Sequence, residues 1–232
     1  MTLASEFTQS KSPSTTFDEI ARSRWSCRDF TSEEVSAELL EEVLGIAQTT
    51  ASWCNTQPWQ VEITRGAATA DFVAALATAR TDPSDTPDFE WPKYEGVYLQ
   101  RRRESGFQLY EALGIGRQDK VLRDEQSNKN FKLFGAPHVA IVTTDARLGT
   151  YGAVDCGGWV ANFMLAARSR GVAAIAQAAL ARYPAFIRKH FSLDQNRLVV
   201  CGISFGFPDQ SSPANAYRTN RASIGESVRI HG

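Results

Sequence analysis

Paired cysteines are the first thing missing. The 232 residues hold four cysteines, Cys27, Cys54, Cys156 and Cys201, widely scattered and with no CxxC pair. Only three histidines occur, His138, His190 and His231, and none stands at metal-ligand spacing from a cysteine. That spacing argues against a structural zinc, and the thiols read as reduced, packed groups in a cytoplasmic protein, Cys54 included. An excess of charge is missing too. A net charge of −1 gives no support to nucleic acid or an anionic membrane as the main partner. No apolar run approaches the roughly 20 residues that cross a bilayer. Ahead of residue 17 no basic stretch leads into an apolar one, so no secretory signal is expected. Residues 1–16 read as a disordered tail before a single domain over 17–232.

What is present is a set of polar segments separated by regular elements. Arg24-Trp25-Ser26-Cys27-Arg28-Asp29-Phe30 follows a short helix over 17–23. Two guanidiniums around a hydroxyl suit a phosphate, because planar forks pair bidentately with its oxygens. Thr31 and Glu34 predict a capping box, and Val35, Leu39, Val43 and Ala47 recur at helical spacing behind it. The dipole of that helix would add to the arginine charge. One helix further on, Ser52, Asn55 and Gln57 lie in a polar loop closed by Pro58 and Trp59. Such side chains satisfy turns, and they also supply the donors and acceptors that a planar heterocycle needs.

The rest of the chain predicts strands over 59–63, 137–144, 172–178 and 198–205, with helices over 67–80, 94–113, 118–130 and 184–190. Residues 81–93 form a long proline-broken loop of the kind that serves as a lid, with Trp91 placed to face a pocket. Residues 151–169 are apolar nearly all round and predict the core helix. Residues 226–231 alternate like a terminal strand. Arg101, Arg102 and Arg103, followed by Glu104, read as a solvated helix face.

Gly202-Ile203-Ser204-Phe205-Gly206 fits the G-x-S-x-G elbow of serine hydrolases, with Asp209 and His231 following in order. The elbow needs a helix directly behind it, and Phe207-Pro208-Asp209 opens a loop instead.

Together the segments resemble the FMN-dependent nitroreductase family. R-x-S-x-R-x-F, then S-x-x-N-x-Q-P-W, then Phe134-Gly135-Ala136-Pro137, Asp155-Cys156-Gly157, the glycine-flanked strand ending in Pro208-Asp209, and Asn215 to Arg221 follow the family's order. The resemblance covers roughly 17–230. It implies an α+β fold: a mixed β-sheet flanked by helices, in an intertwined homodimer. The core helix would lie at the dimer interface and the terminal strand would extend onto the partner.

It implies FMN as cofactor and NADPH or NADH as co-substrate. Arg24 and Arg221 would hold the phosphate, Ser26 the phosphate or ribityl chain, and Arg28 the N1/C2=O edge. Ser52 and Asn55 would reach FMN from the partner subunit. Backbone groups around Ala176, Gln177 and Ala178 would face N5, and Asn130 or Lys132 the ring edge. Trp25, Trp53, Gln57 and Arg218 complete the expected set. No side chain need be catalytic, because the cofactor carries the chemistry. The implied activity is ping-pong reduction of a small aromatic acceptor, a nitroaromatic or quinone. Reductive dehalogenation, flavin fragmentation and flavin binding without turnover are the alternatives.

This chain has Trp53-Cys54 where many relatives have two glycines, and Ala173-Ala174-Ile175-Ala176-Gln177 in place of the usual turn near N5.

Overall fold

The computed structural model describes residues 13–82 and 84–232. It contains four strands in the order β1-β2-β4-β3: β1 Gln60–Thr64, β2 His138–Asp145, β3 Ala173–Gln177 and β4 Arg197–Gly206. All three ladders are antiparallel. The sheet's parallel element is an isolated bridge, Ser26 to Ala174, on the free edge of β3.

The pleat sorts side chains into two layers. Val139 and Ile141 of β2 point to one face, Ala140 and Val142 to the other. The first face packs α3 (Ala67–Ala79) through Phe72 and Leu76, and α7 (Pro184–Phe191) through Ile187. The second packs α2 (Ala37–Ala47) through Leu40 and Val43, and α6 (Gly149–Ser169) through Trp159 and Phe163. The outer layer adds α1 (Pro13–Ser23), α4 (Gly96–Ala112), α5 (Lys120–Asn128) and a short α8 (Ile224–Ser227).

Several expectations need correction. Residues 1–12 lie outside the described residues, and 13–16 already belong to α1. Thr31 does not cap α2. Ser36 does, its hydroxyl accepting the Leu39 N–H at 3.2 Å, while Thr31 is tied by its own N–H to the Phe207 carbonyl at 2.9 Å. The extended run 31–36 therefore separates Arg28 from the helix start, and the α2 dipole does not reach it. Residues 226–231 form no strand, because Ser223 and Glu226 make a capping box that nucleates α8.

The core helix is not wrapped all round. One stripe of α6 is buried, but Tyr151 and Val154 are 59% and 61% exposed. Cys54 is exposed rather than packed.

The long loop before α4 is pinned rather than free. The Asp85 carboxylate accepts the N–H groups of Ala185 and Phe186 at the start of α7. Asp88 pairs with Arg188 at 2.7 Å and accepts the Val199 N–H at 2.8 Å. Trp91 is held against Arg182, whose guanidinium lies 4.3 Å from the ring centroid. Among the described residues no helix is long and apolar enough to cross a membrane.

Candidate active site

Residues 24–28 run extended along the edge of β3, with the Cys27 N–H donated to the Ala174 carbonyl at 3.3 Å. Cys27 is fully buried. The period of two then turns Arg24, Ser26 and Arg28 to the other side. They line a cavity of about 420 Å³ with Tyr217, Arg218 and Arg221 of the C-terminal segment. Five guanidiniums share this cleft, Arg22 of α1 among them, and none has a carboxylate partner among the described residues. Partial burial, and then the charge of Arg221, push the Arg24 guanidinium below its ordinary value.

Two more polar atoms are stranded there. Trp25 Nε1 and the Tyr217 hydroxyl are buried without a hydrogen-bond partner, and burial raises the Tyr217 phenol above its usual range. Buried donors are normally satisfied. Guanidiniums without a carboxylate partner and two buried donors without an acceptor therefore converge on one concavity, which fits an anionic, oxygen-rich ligand. Arg218 and Arg168 both approach the Trp25 ring, at 4.5 and 5.2 Å from its centroid. Arg28 donates to the Ser26 carbonyl at 3.1 Å and stands 5.8 Å from the centroid of Tyr217.

Asn215 joins the two halves of the cleft. Its Nδ2 donates to the Asp29 and Asp209 carbonyls, both at 2.8 Å, and the Arg218 guanidinium donates to the Asn215 carbonyl at 2.8 Å. Neither Tyr217 nor Arg168 carries a sequence signal, since each acts through a contact far away in the chain. Asn215 was visible only as part of the tail pattern.

The second polar segment sits elsewhere. Residues 52–57 precede β1, at the opposite sheet edge from β3. Trp53 stacks edge-on against Tyr151 at 4.4 Å, and its N–H donates to Asp155 at 3.1 Å. Tyr151 and Asp155 lie at the start of α6, whereas Arg168, which touches Trp25, lies at its end. At a rise of about 1.5 Å per residue, these two anchor points are about 25 Å apart. One chain therefore does not bring Ser52, Trp53, Asn55 and Gln57 to the arginine cleft.

Within the loop, Ser52 accepts the Gln57 N–H at 2.9 Å and the Gln57 amide folds back onto the Asn55 carbonyl at 3.2 Å. The Asn55 carboxamide has no partner among the described residues. Cys54, Asn55 and Gln57 all adopt positive φ, at 51°, 54° and 46°. Three non-glycine residues in that region store strain of the sort found at binding loops.

At the end of β3 the exposed position is Ala176; Gln177 is buried and points into the opposite layer. Its amide donates to the Asn130 carbonyl at 2.9 Å, and Asn130 in turn donates to Ser127 at 3.0 Å. The side chains of Asn130 and Gln177 are thus spent on each other, leaving the exposed Ala176 and Ala178 to face outward. Ser204 is fully buried in β4 with no helix behind it, so the hydrolase elbow is absent.

Residues 21–207 match the model of the nitroreductase family. The chain belongs to that family. As a nitroreductase it is 34% identical over 219 residues to the nitroreductase NfnB of Mycolicibacterium smegmatis, covering 92% of each chain. It is 34% identical to a 4-nitrobenzoate reductase of Pseudomonas putida, over 88% of this chain and 91% of that one. The crystal structure of the FMN-dependent NfnB of Mycobacterium smegmatis in complex with NADPH superposes with a TM-score of 0.89, at 32% identity, over 94% of this chain and 99% of that one. A nitroreductase-like protein from Bacillus cereus, 17% identical, shares the fold at a TM-score of 0.64.

Proposed function

We propose that this nitroreductase binds FMN and uses NADPH or NADH to reduce nitroaromatic compounds. The observation that carries the reading is the cleft of five arginines with no carboxylate partner among the described residues, with the stranded Trp25 and Tyr217 donors, on a chain of this family. Arg24, Arg221 and Arg218 would hold the phosphate, and Ser26 would donate to the phosphate or the adjoining chain. Arg28, nearest the free edge of β3, would place its charge at the ring, where a cation favours the reduced, anionic form. The backbone at Ala176 and Ala178 would line the ring beside it. FMN supplies the two-electron chemistry; the protein binds it, orients it and sets the field around it.

The remaining contacts require a second copy. The proposal places Ser52, Asn55, Gln57 and Trp53 of one protomer at the arginine cleft of its partner, in a homodimer built on the exposed stripe of α6. Tyr151, Val154 and Ala161 share that stripe with Gly157 and Gly158, small residues that let a second helix approach closely. A two-fold axis across α6 would set its start beside the end of the partner helix, and so join the two separated halves.

Anaerobic titration tests the reading. The purified protein should be yellow, bleach with NADPH or NADH, and recover its colour with 4-nitrobenzoate but not with iodotyrosine. A verified dimer that is colourless and refuses added FMN would overturn it.

A further inference from the structure

We propose that Ser204, Gln177 and Asn130 act together as a positioning relay, holding rigid the backbone along which the flavin ring lies. The inference rests on the flavin reading above. Ser204 and Gln177 are 0% and 3% exposed, inside an otherwise apolar layer with Ile175, Leu180 and Val139. A hydroxyl and a carboxamide are costly to bury there unless each satisfies the other. Their donor and acceptor roles are fixed. Gln177 Nε2 donates to the Asn130 carbonyl at 2.9 Å and to its Oδ1 at 3.3 Å. That leaves Gln177 Oε1 as the acceptor for the hydroxyl proton of Ser204. Asn130 is itself anchored to the Ser127 carbonyl at 3.0 Å. The chain of contacts therefore ties the end of α5, the tip of β3 and the middle of β4 into one polar unit.

The two glycines around Ser204 complete the device. A Cβ on Gly202 would run into Leu180, and one on Gly206 would press on Pro137 at 2.7 Å. Gly202 thus lets the turn 178–182 seat directly on β4, while Gln177, on the same face, is gripped by Ser204. Between them lie the peptide groups of 177 and 178, with exposed Ala176 next to them. The G-x-S-x-G pattern is explained as two close approaches around a hydrogen-bonding post. None of the three side chains touches the cleft, so they are positioning residues.

The test is Ser204→Ala in the FMN-loaded dimer, which removes one oxygen and little volume. Dissociation constants are measured for oxidised and reduced FMN, with hydrogen exchange of the peptide covering 176–182. The variant should weaken reduced FMN about tenfold, the worth of one buried hydrogen bond, and leave oxidised FMN within about twofold. Exchange should quicken in 176–182 and stay unchanged in β1 and β2. Reduction by NADPH should slow by a similar factor with KM unchanged. A second variant, Gln177→Met, removes the amide and should give the same pattern.

If wild-type protein binds FMN while both variants keep its ratio of affinities and its exchange rates, the relay is overturned and the flavin reading survives. An equal weakening of both flavin forms with a general loss of stability also overturns it, since that marks a merely structural role. Wild-type protein that takes up no FMN removes the flavin reading itself.

Discussion

The side chain of Asn215 accepts the backbone N–H of Arg28 at 2.9 Å, across 187 positions of sequence. Through that bond the first polar segment and the C-terminal segment become one rigid wall. Replacing Asn215 with alanine strands the Arg28 N–H and removes the Nδ2 bonds to the Asp29 and Asp209 carbonyls. At about 1 kcal/mol per bond, Asn215→Ala should cost about 2–3 kcal/mol of stability, read from urea denaturation. Flavin retention on gel filtration should fall with it.

The arginine cleft gathers like charges that no carboxylate among the described residues pairs with. Inorganic phosphate should therefore raise the melting temperature of cofactor-free protein, and added salt should erode the gain. Arg24→Gln should abolish the phosphate response while leaving the cofactor-free protein as stable as before, or slightly more so, because Arg221 loses a repulsive neighbour. Differential scanning fluorimetry with and without phosphate checks both arms.

Asp88 and Arg188 have side chains only 11% and 12% exposed. Asp88→Ala leaves the guanidinium buried beside the Arg197 carbonyl with no counter-charge. A loss of about 3 kcal/mol should follow, together with rapid proteolytic cleavage in the loop ahead of α4. Arg188→Met in the same background should recover part of the loss.

His138 is buried and neutral. Its Nε2 accepts the Val35 N–H at 2.9 Å, which leaves Nδ1–H to donate to the Thr64 carbonyl at 3.2 Å. Burial pushes its pKa below the ordinary 6.5, a pull that outweighs the Thr64 bond and the Glu34 charge. Below pH 6.5 the unfolded chain takes up a proton that the folded chain resists. Stability contributed by His138 is thus present above that pH and is lost as the pH falls. Denaturant midpoints between pH 8 and pH 5 should decline, and His138→Phe should flatten the decline.

If the exposed stripe of α6 is where two copies meet, Val154→Arg should yield a monomer by sedimentation. That monomer should fold, by circular dichroism, and be colourless.

The architecture was legible wherever periodicity was strong: β2, β4 and α6 appear within about two residues of their expected bounds. Local rules misled where two signals competed. Thr31-Ser32-Glu33-Glu34 is a good helix start, but pairing of Thr31 with Phe207 held it extended and passed the cap to Ser36. The alternation at 226–231 lost to a capping box three residues upstream. The structure brings Arg24, Ser26, Arg28, Arg218 and Arg221 to one cavity, as guanidiniums clustered around a hydroxyl in the sequence suggest. Tyr217 and Arg168 carry no such signal, since each is defined by a neighbour across the fold. No sequence pattern could show that the side chains of Gln177 and Asn130 bond to each other.

The separation of Trp53 and Trp25 along α6 has a practical consequence. On the proposed dimer neither chain alone would carry a whole cofactor cradle, so grip on the flavin should depend on concentration and fade on dilution as subunits part. Mixing also becomes informative. A protomer crippled by Arg24→Ala and another crippled by Asn55→Ala would each be blank alone, yet their hybrid would regain one intact cradle of its two.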